Sequence, residues 1–445
     1  MDAKCLREIF TTVVSEEAIL GQGAALGIIQ RERKLDLVRL VRSMVLGAGS
    51  DDSGRLSDAM NYYLQEAPED RVVRGIFYGW MTDNLAELLR FVAERALDQV
   101  RALEPQLSGR LGGVRDWQAF DSETVTLRPA LADEFPATST PAGLKIHKRY
   151  SLGRGNIVGF EISAAREHDG PHLVIDESWR GIGMIVDLGY ASLKLIRDSR
   201  AHGAELIMRL KANWKPKLLR TVLDGELTDA LGEPELVGLL EAEADEMNGS
   251  EADLDVAFGR GESRVTVRLI GVPGKDKYHW CLTTLSRDTH PPKLISDLYR
   301  TRWEIELDNR RDKGAARLDQ IRATTVSSVK ALVYASLIRT LLANWLVYQD
   351  IQDRPPTRPP LHAFAVALAI AALSQHIQDA LAKDRPEQWQ ALAIGIRARG
   401  HDPNWRRRPS PLDVLRGLTA PPGRPKQSKL KDCPPEARSY SQQGL

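Results

Sequence analysis

The segment LYRTRWEIELDNRRDKGAARLDQI carries a tyrosine, an arginine, a glutamate and a lysine in a suggestive arrangement: Tyr299, Arg302, Glu306 and Lys313. On a wheel turning about 100° per residue from Tyr299, Arg302 falls at about 300°, Lys313 at about 320° and Glu306 at about 340°. Read as one long helix beginning near Leu294 and running past Lys313, the segment gathers a phenol, a guanidinium, a carboxylate and an ammonium on one stripe. A carboxylate can hold a cation. The guanidinium can grip a phosphate as a fork and the ammonium as a point charge. The plain alternative is a charged solvent face held by pairs one turn apart.

Other clusters offer less. His168 and His172 lie four apart, but His168-Asp-Gly-Pro-His172 cannot form a regular helix, so they read as loop histidines. GQGAALG (residues 21–27) looks like a phosphate loop, yet no strand precedes it and the glycine spacing is wrong. Cys5, Cys281 and Cys433 lie far apart, which excludes a disulfide scaffold and a paired-cysteine zinc site, and makes a reduced intracellular setting the default.

Positioning such groups needs a scaffold, and the chain offers one. Residues 1–110 read as helices, with apolar spacing such as Leu85, Leu88, Leu89 and Val92. The texture then changes to strands. WQAFDSETVTL, KIHKRYSL and NIVGFEIS are rich in β-formers, the last two joined by the turn Gly153-Arg-Gly-Asn156. GMIVDLGY is a short apolar run with Asp187 near its end. Ser192 can cap a helix, LKLIRDSRAH, that stops at Gly203, and AELIMRLKA follows as a strand. Three antiparallel strands feeding a parallel βαβ unit is the order of a ribonuclease-H-like sheet. SRVTVRLIGV and YHWCLTTL are further strand candidates, and residues 325–395 are helical again. The apolar stretches 331–348 and 361–373 read as buried helices rather than membrane spans.

The 445 residues exceed one ordinary core, and the globular composition excludes a wholly disordered or fibrous chain. The expected organisation is a helical region over 1–110, a core over 111–213 and 290–350, an acidic β-rich insertion over 214–289, helices over 351–400, and a basic, proline-rich tail over 401–445. The net charge of +1 conceals a split of −12 over residues 221–259 and +13 elsewhere. A basic body suits a polyanionic partner, with the acidic segment pointing away from it. A solvated acidic loop on an ordinary surface is the bland reading.

Tyr-x2-Arg-x3-Glu-x6-Lys, with Trp303 after the arginine and Ile305 before the glutamate, resembles the YREK signature of the bacterial insertion-sequence-four family of DDE transposases. IVDLGY resembles that family's second-aspartate motif and AGLKIHKRYSL its preceding strand. MRLKANWKP and CLTTL fall where the family has similar strands, so the likeness covers roughly residues 110–350. It implies a ribonuclease-H-like α/β fold with a mixed sheet and a β-rich insertion, flanked by N-terminal and C-terminal helical regions. It also implies catalytic, metal-holding carboxylates at Asp121, Asp187 and Glu306. Asp116, Asp133, Asp169 and Asp176 remain alternatives for the first of these. Tyr299, Arg302, Trp303, Lys313, Arg209 and Lys211 would contact DNA, Trp303 either stacking on a displaced base or packing in the core. The chain departs from the pattern after Glu306, where Asp308-Asn309 replaces the usual aromatic pair. That departure bears on local packing rather than on the metal.

Carboxylates suit the implied chemistry. Two Mg²⁺ ions, or Mn²⁺ in their place, can activate the attacking oxygen and stabilise the leaving one in a displacement at phosphorus. The resemblance implies cleavage and strand transfer at the terminal inverted repeats of an insertion sequence. Double-stranded DNA would be the partner, as transposon ends and target, bound by a homodimer in a synaptic complex, with the helical region over 1–110 binding the DNA ends. The setting would be cytoplasmic, prokaryotic and nucleoid-associated, with no membrane. The alternatives are an inactive or domesticated DNA-binding relative, or a ribonuclease-H-like nuclease with another substrate.

Overall fold

The computed structural model describes residues 2–28, 35–47, 55–66, 72–223, 226–230, 232–236, 250–274, 277–315, 317–318, 321–353, 358–402 and 410–417. The basic tail lies almost wholly outside these residues, as does much of the acidic stretch.

Alternation builds the sheet. β1 (Asp116–Thr126) lies between β2 (Gly143–Ser151), antiparallel to it, and β4 (Ile182–Val186), parallel to it. β3 (Asn156–Ala164) pairs with the outer side of β2. After β4, helix α7 (Leu193–His202) starts at the Ser192 cap, whose side chain accepts from the Leu195 N–H. It ends at Gly203 in the left-handed conformation. β5 (Glu205–Arg209) then returns parallel to β4. The order β3-β2-β1-β4-β5, with these senses, is the expected ribonuclease-H-like sheet.

The insertion is β-rich as expected, but it does not form a separate layer. Its strands β6 (Lys217–Leu223), β7 (Glu226–Asp229), β8 (Ala252–Phe258), β9 (Val265–Pro273) and β10 (Tyr278–Thr283) extend the same sheet, with β10 antiparallel to β5. β6, β7 and β8 lie in or beside the acidic stretch, where the sequence reading placed no strand. Alternation in β8 was masked by Asp253 and Asp255. Both are ion-paired: Asp253 with Arg268 and Arg287, Asp255 with Arg287 and Arg220. At these two residues the acidic segment is neutralised internally rather than turned away as free charge.

Two helices cross the site: α8 (Pro292–Arg300) and α9 (Trp303–Gly314). The expected single helix is therefore broken at Thr301-Arg302. The break is slight, because both residues keep right-handed helical backbone and Thr301 closes onto the Leu298 carbonyl through its N–H and hydroxyl. Helix α10 (Val326–Asp353) is long and apolar enough to cross a membrane. Yet 83% of its most apolar window is buried inside the fold, packed against the N-terminal helix α6 (Asp83–Ala102) and the sheet.

Candidate active site

In the parallel register of β1 and β4, Phe120 faces Val186. The next residue on each chain is an acid, so Asp121 and Asp187 come side by side where β4 ends. All five residues of β4 are buried, and the chain becomes polar only as it leaves the sheet at Asp187. Glu306 joins them from the first turn of α9, which lies over β1.

Two signature residues hold this trio. Arg302 donates to Glu306, one turn on, and its Nη1 stands 4.0 Å from Asp121 Oδ2. The Tyr299 hydroxyl donates to Asp187 Oδ1 at 3.4 Å. Burial pushes the Asp121 carboxyl above its ordinary pKa. Arg302 and the Ser122 N–H oppose that shift, and the charges of Asp187 and Glu306 add to it. The Asp121 carboxyl thus feels the charges of both other acids. Burial also raises the Tyr299 phenol, reinforced by Asp187 and countered by Arg302 and Arg209. Burial works against the Arg302 charge, but Tyr299, Asp187 and Glu306 outweigh it and raise the guanidinium's pKa.

The remaining expected residues lie around this centre. Lys313 is half exposed, with Nζ 3.7 Å from Glu123 Oε1. Trp303 is 45% exposed, with Arg310 over its ring at 4.7 Å, so it is not packed in the core. Arg209 is exposed at the end of β5, whereas Lys211 is turned to the ring of Trp214, 5.8 Å away. Among the alternative acids, Asp116 is buried against Arg154 and the Gly153 N–H. Asp169 pairs with Lys145, and Asp176 caps the turn at Ser178. His172 stacks on His147 at 3.8 Å.

The donor set suits a hard divalent cation, because it offers carboxylate oxygens without thiolate or imidazole. Among the described residues, no three His, Cys, Asp or Glu side chains stand close enough together to hold an ion. Arg302 lies between two of the acids as a counter-charge, paired with Glu306 and 4.0 Å from Asp121. In kind, the residues fit the ion.

Sequence reasoning missed the buried polar cluster behind the trio, made by Glu123, Lys148, Asn309 and Asp312. A signal was present. Lys148 shares a β2 face with Leu144, Ile146 and Tyr150, and Asp312 shares an α9 stripe with Ile305 and Asp308. Charges in an apolar register mark a buried network.

This sheet, with acids clustered at the end of its parallel strands, defines a ribonuclease-H-like fold with an acidic centre. The transposase DDE domain pattern matches residues 113–342, just over half the chain, and the chain belongs to that family. It is 35% identical over 75 residues to the transposase for insertion sequence element IS421 of Escherichia coli, covering 17% of this chain and 20% of that one. It is 21% identical over 268 residues to the transposase for insertion sequence element IS1151 of Clostridium perfringens, covering 51% and 56%. The chain thus spans between a fifth and about half the length of these relatives. A piggyBac transposase synaptic complex with hairpin DNA aligns over 97% of this chain and 91% of its own, at 11% identity and a TM-score of 0.40, too low to carry weight.

Proposed function

We propose that the chain is a DNA transposase that cuts and rejoins DNA at the terminal inverted repeats of an insertion sequence, with Asp121, Asp187 and Glu306 holding two Mg²⁺ ions. Mn²⁺ would substitute. The observation that carries this reading is that three acids from β1, β4 and α9 are each partnered by Arg302 or Tyr299 of the same signature. When bound, the ions activate the attacking oxygen and stabilise the leaving one. The chain's own groups orient the rest. Tyr299 fixes the Asp187 carboxylate, Arg302 links Asp121 to Glu306, and Lys313 and Arg209 stand where a phosphate backbone approaching the site would meet positive charge. Trp303 offers an exposed ring for a base leaving the stack.

The partners in this reading are double-stranded transposon ends and target DNA, held by a homodimer in a cytoplasmic, nucleoid-associated complex without a membrane. The test is Asp187→Asn and Glu306→Gln in the full chain. Each abolishes Mg²⁺-dependent nicking of a terminal repeat while gel-shift binding to the same DNA persists. Nicking retained by either variant overturns the metal assignment. Equal cleavage of DNA lacking inverted repeats points instead to a nuclease.

A further inference from the structure

The α9 face that meets the sheet is polar where an apolar stripe would ordinarily pack. The side chains of Lys148, Glu123, Asp308 and Asp312 are all completely covered. Lys148 Nζ donates to Glu123 at 3.0 Å, to Asn309 Oδ1 at 2.9 Å and to Asp312. An ammonium has three protons, and these acceptors use them all. Asp308 Oδ1 accepts from Arg311 at 2.6 Å and Asn344 at 2.9 Å, while its Oδ2 lies 3.6 Å from Lys148 Nζ without a hydrogen bond of its own.

Asn309 is the member of this cluster that also touches the acidic trio. Its Oδ1 accepts from Lys148, and its Nδ2 donates to Asp121 Oδ2 at 3.1 Å. Turned over, the amide would aim N–H at an ammonium and a carbonyl at a carboxylate. A cation at one end and an anion at the other therefore fix a single orientation. The second Asp121 oxygen accepts from the Ser122 N–H at 2.9 Å. Both oxygens are thus oriented, one by backbone and one by Asn309.

We propose that Asn309 is a positioning residue. Anchored by the buried Lys148, it holds the Asp121 carboxylate in the orientation that receives a divalent cation. The inference rests on the reading of Asp121 as a metal-holding residue. It also gives Asp308-Asn309, where the chain departs from the pattern it resembles, a chemical reason: an aromatic pair there would offer Lys148 no acceptor. Removing the amide leaves the carboxylate in place but frees it to turn, so ion capture weakens without the ligand being lost. Loss of such an outer partner costs about tenfold or more in metal affinity.

The test uses the full chain without DNA, titrated with Mn²⁺ and followed by the electron-paramagnetic-resonance signal of the free ion. Asn309→Ala and the shape-keeping Asn309→Leu raise the half-saturating Mn²⁺ about tenfold. Half-saturating Mg²⁺ for nicking rises by the same factor, and the rate recovers at high Mg²⁺. Asp121→Asn weakens Mn²⁺ binding strongly, and the double variant Asp121→Asn/Asn309→Ala binds no worse than Asp121→Asn alone. Wild-type affinity in both Asn309 variants, with Asp121→Asn impaired, overturns the inference and leaves the metal reading standing. Wild-type affinity in Asp121→Asn overturns the metal reading and the inference with it. Additive losses in the double variant overturn the relay, because Asn309 would then act by another route.

Discussion

On the opposite face of the sheet from Lys148, His147 is buried between Ser163, 2.9 Å from Nε2, and the Tyr190 hydroxyl, 3.3 Å from Nδ1. Burial, foremost, lowers its pKa to about 4, helped by the His172 and Lys145 charges and opposed by Asp169 and Glu167. The folded state therefore refuses a proton that the unfolded chain takes up near its ordinary value of about 6.5. Stability from this group is fully present above pH 6.5 and is lost as pH falls from 6.5 towards 4. Replacing His147 by Gln, which keeps a donor and an acceptor, removes that component. The melting-temperature advantage of wild type over His147→Gln should shrink steadily between pH 6.5 and 4. A constant difference across that window would show that His147 is not the titrating group. Arg302 makes a different point at the same scale. Its type and spacing were legible in the sequence, but its role as counter-charge to two acids from different elements was not, because only the folded chain brings Asp121 to it.

Elements were legible where one periodicity ruled. β1, β2, β3, β4, α7 and β5 follow alternation, turn glycines and a serine cap, and each lies where the pattern put it. β8 was hidden by its two aspartates, whose arginine partners come from β6, β9 and the loop after β10. The α8–α9 break was hidden because it is slight and local: Thr301 and Arg302 keep helical backbone, and the Thr301 N–H and hydroxyl both close on the Leu298 carbonyl. One register detail bears directly on the site. Gly183 of β4 faces Trp117 of β1, and a Cβ at Gly183 would land in the indole ring, which is completely buried. The glycine lets β4 lie close against β1 in the register that sets Asp187 beside Asp121. Gly183→Ala should cost about 1–3 kcal/mol, as overpacking in a tight core does. It should also slow Mg²⁺-dependent nicking beyond what the unfolded fraction explains, as denaturant melts and rates from the same preparation would reveal. A rate loss equal to the unfolded fraction would mean the register tolerates the methyl.

At the scale of the whole molecule, the insertion and the core share one sheet. β5 has β4 on one side and β10 on the other, with Arg209, Met208 and Ile207 opposite Cys281, Leu282 and Thr283. Without β10, the outer edge of β5 would present unpaired backbone groups beside buried Leu206, Ile207 and Met208, a surface that invites mispairing. Side chains lock the same seam: Thr283 Oγ1 donates to the Leu206 carbonyl, and the Leu206 N–H donates to Thr284 Oγ1, both at 2.8 Å. Such a seam makes the insertion part of the cooperative unit rather than a module hung from it. Native-state hydrogen exchange would measure this directly. The amides of Ile270 and Leu282, in β9 and β10, should open only with the same free energy and denaturant dependence as those of Ala119 and Ile185 in β1 and β4. The β6–β7 ribbon, at the far edge of the sheet, should open at lower cost. If Ile270 and Leu282 exchange through a smaller, separate opening while β1 and β4 stay protected, the insertion folds on its own and the continuous sheet is only a docking of two units.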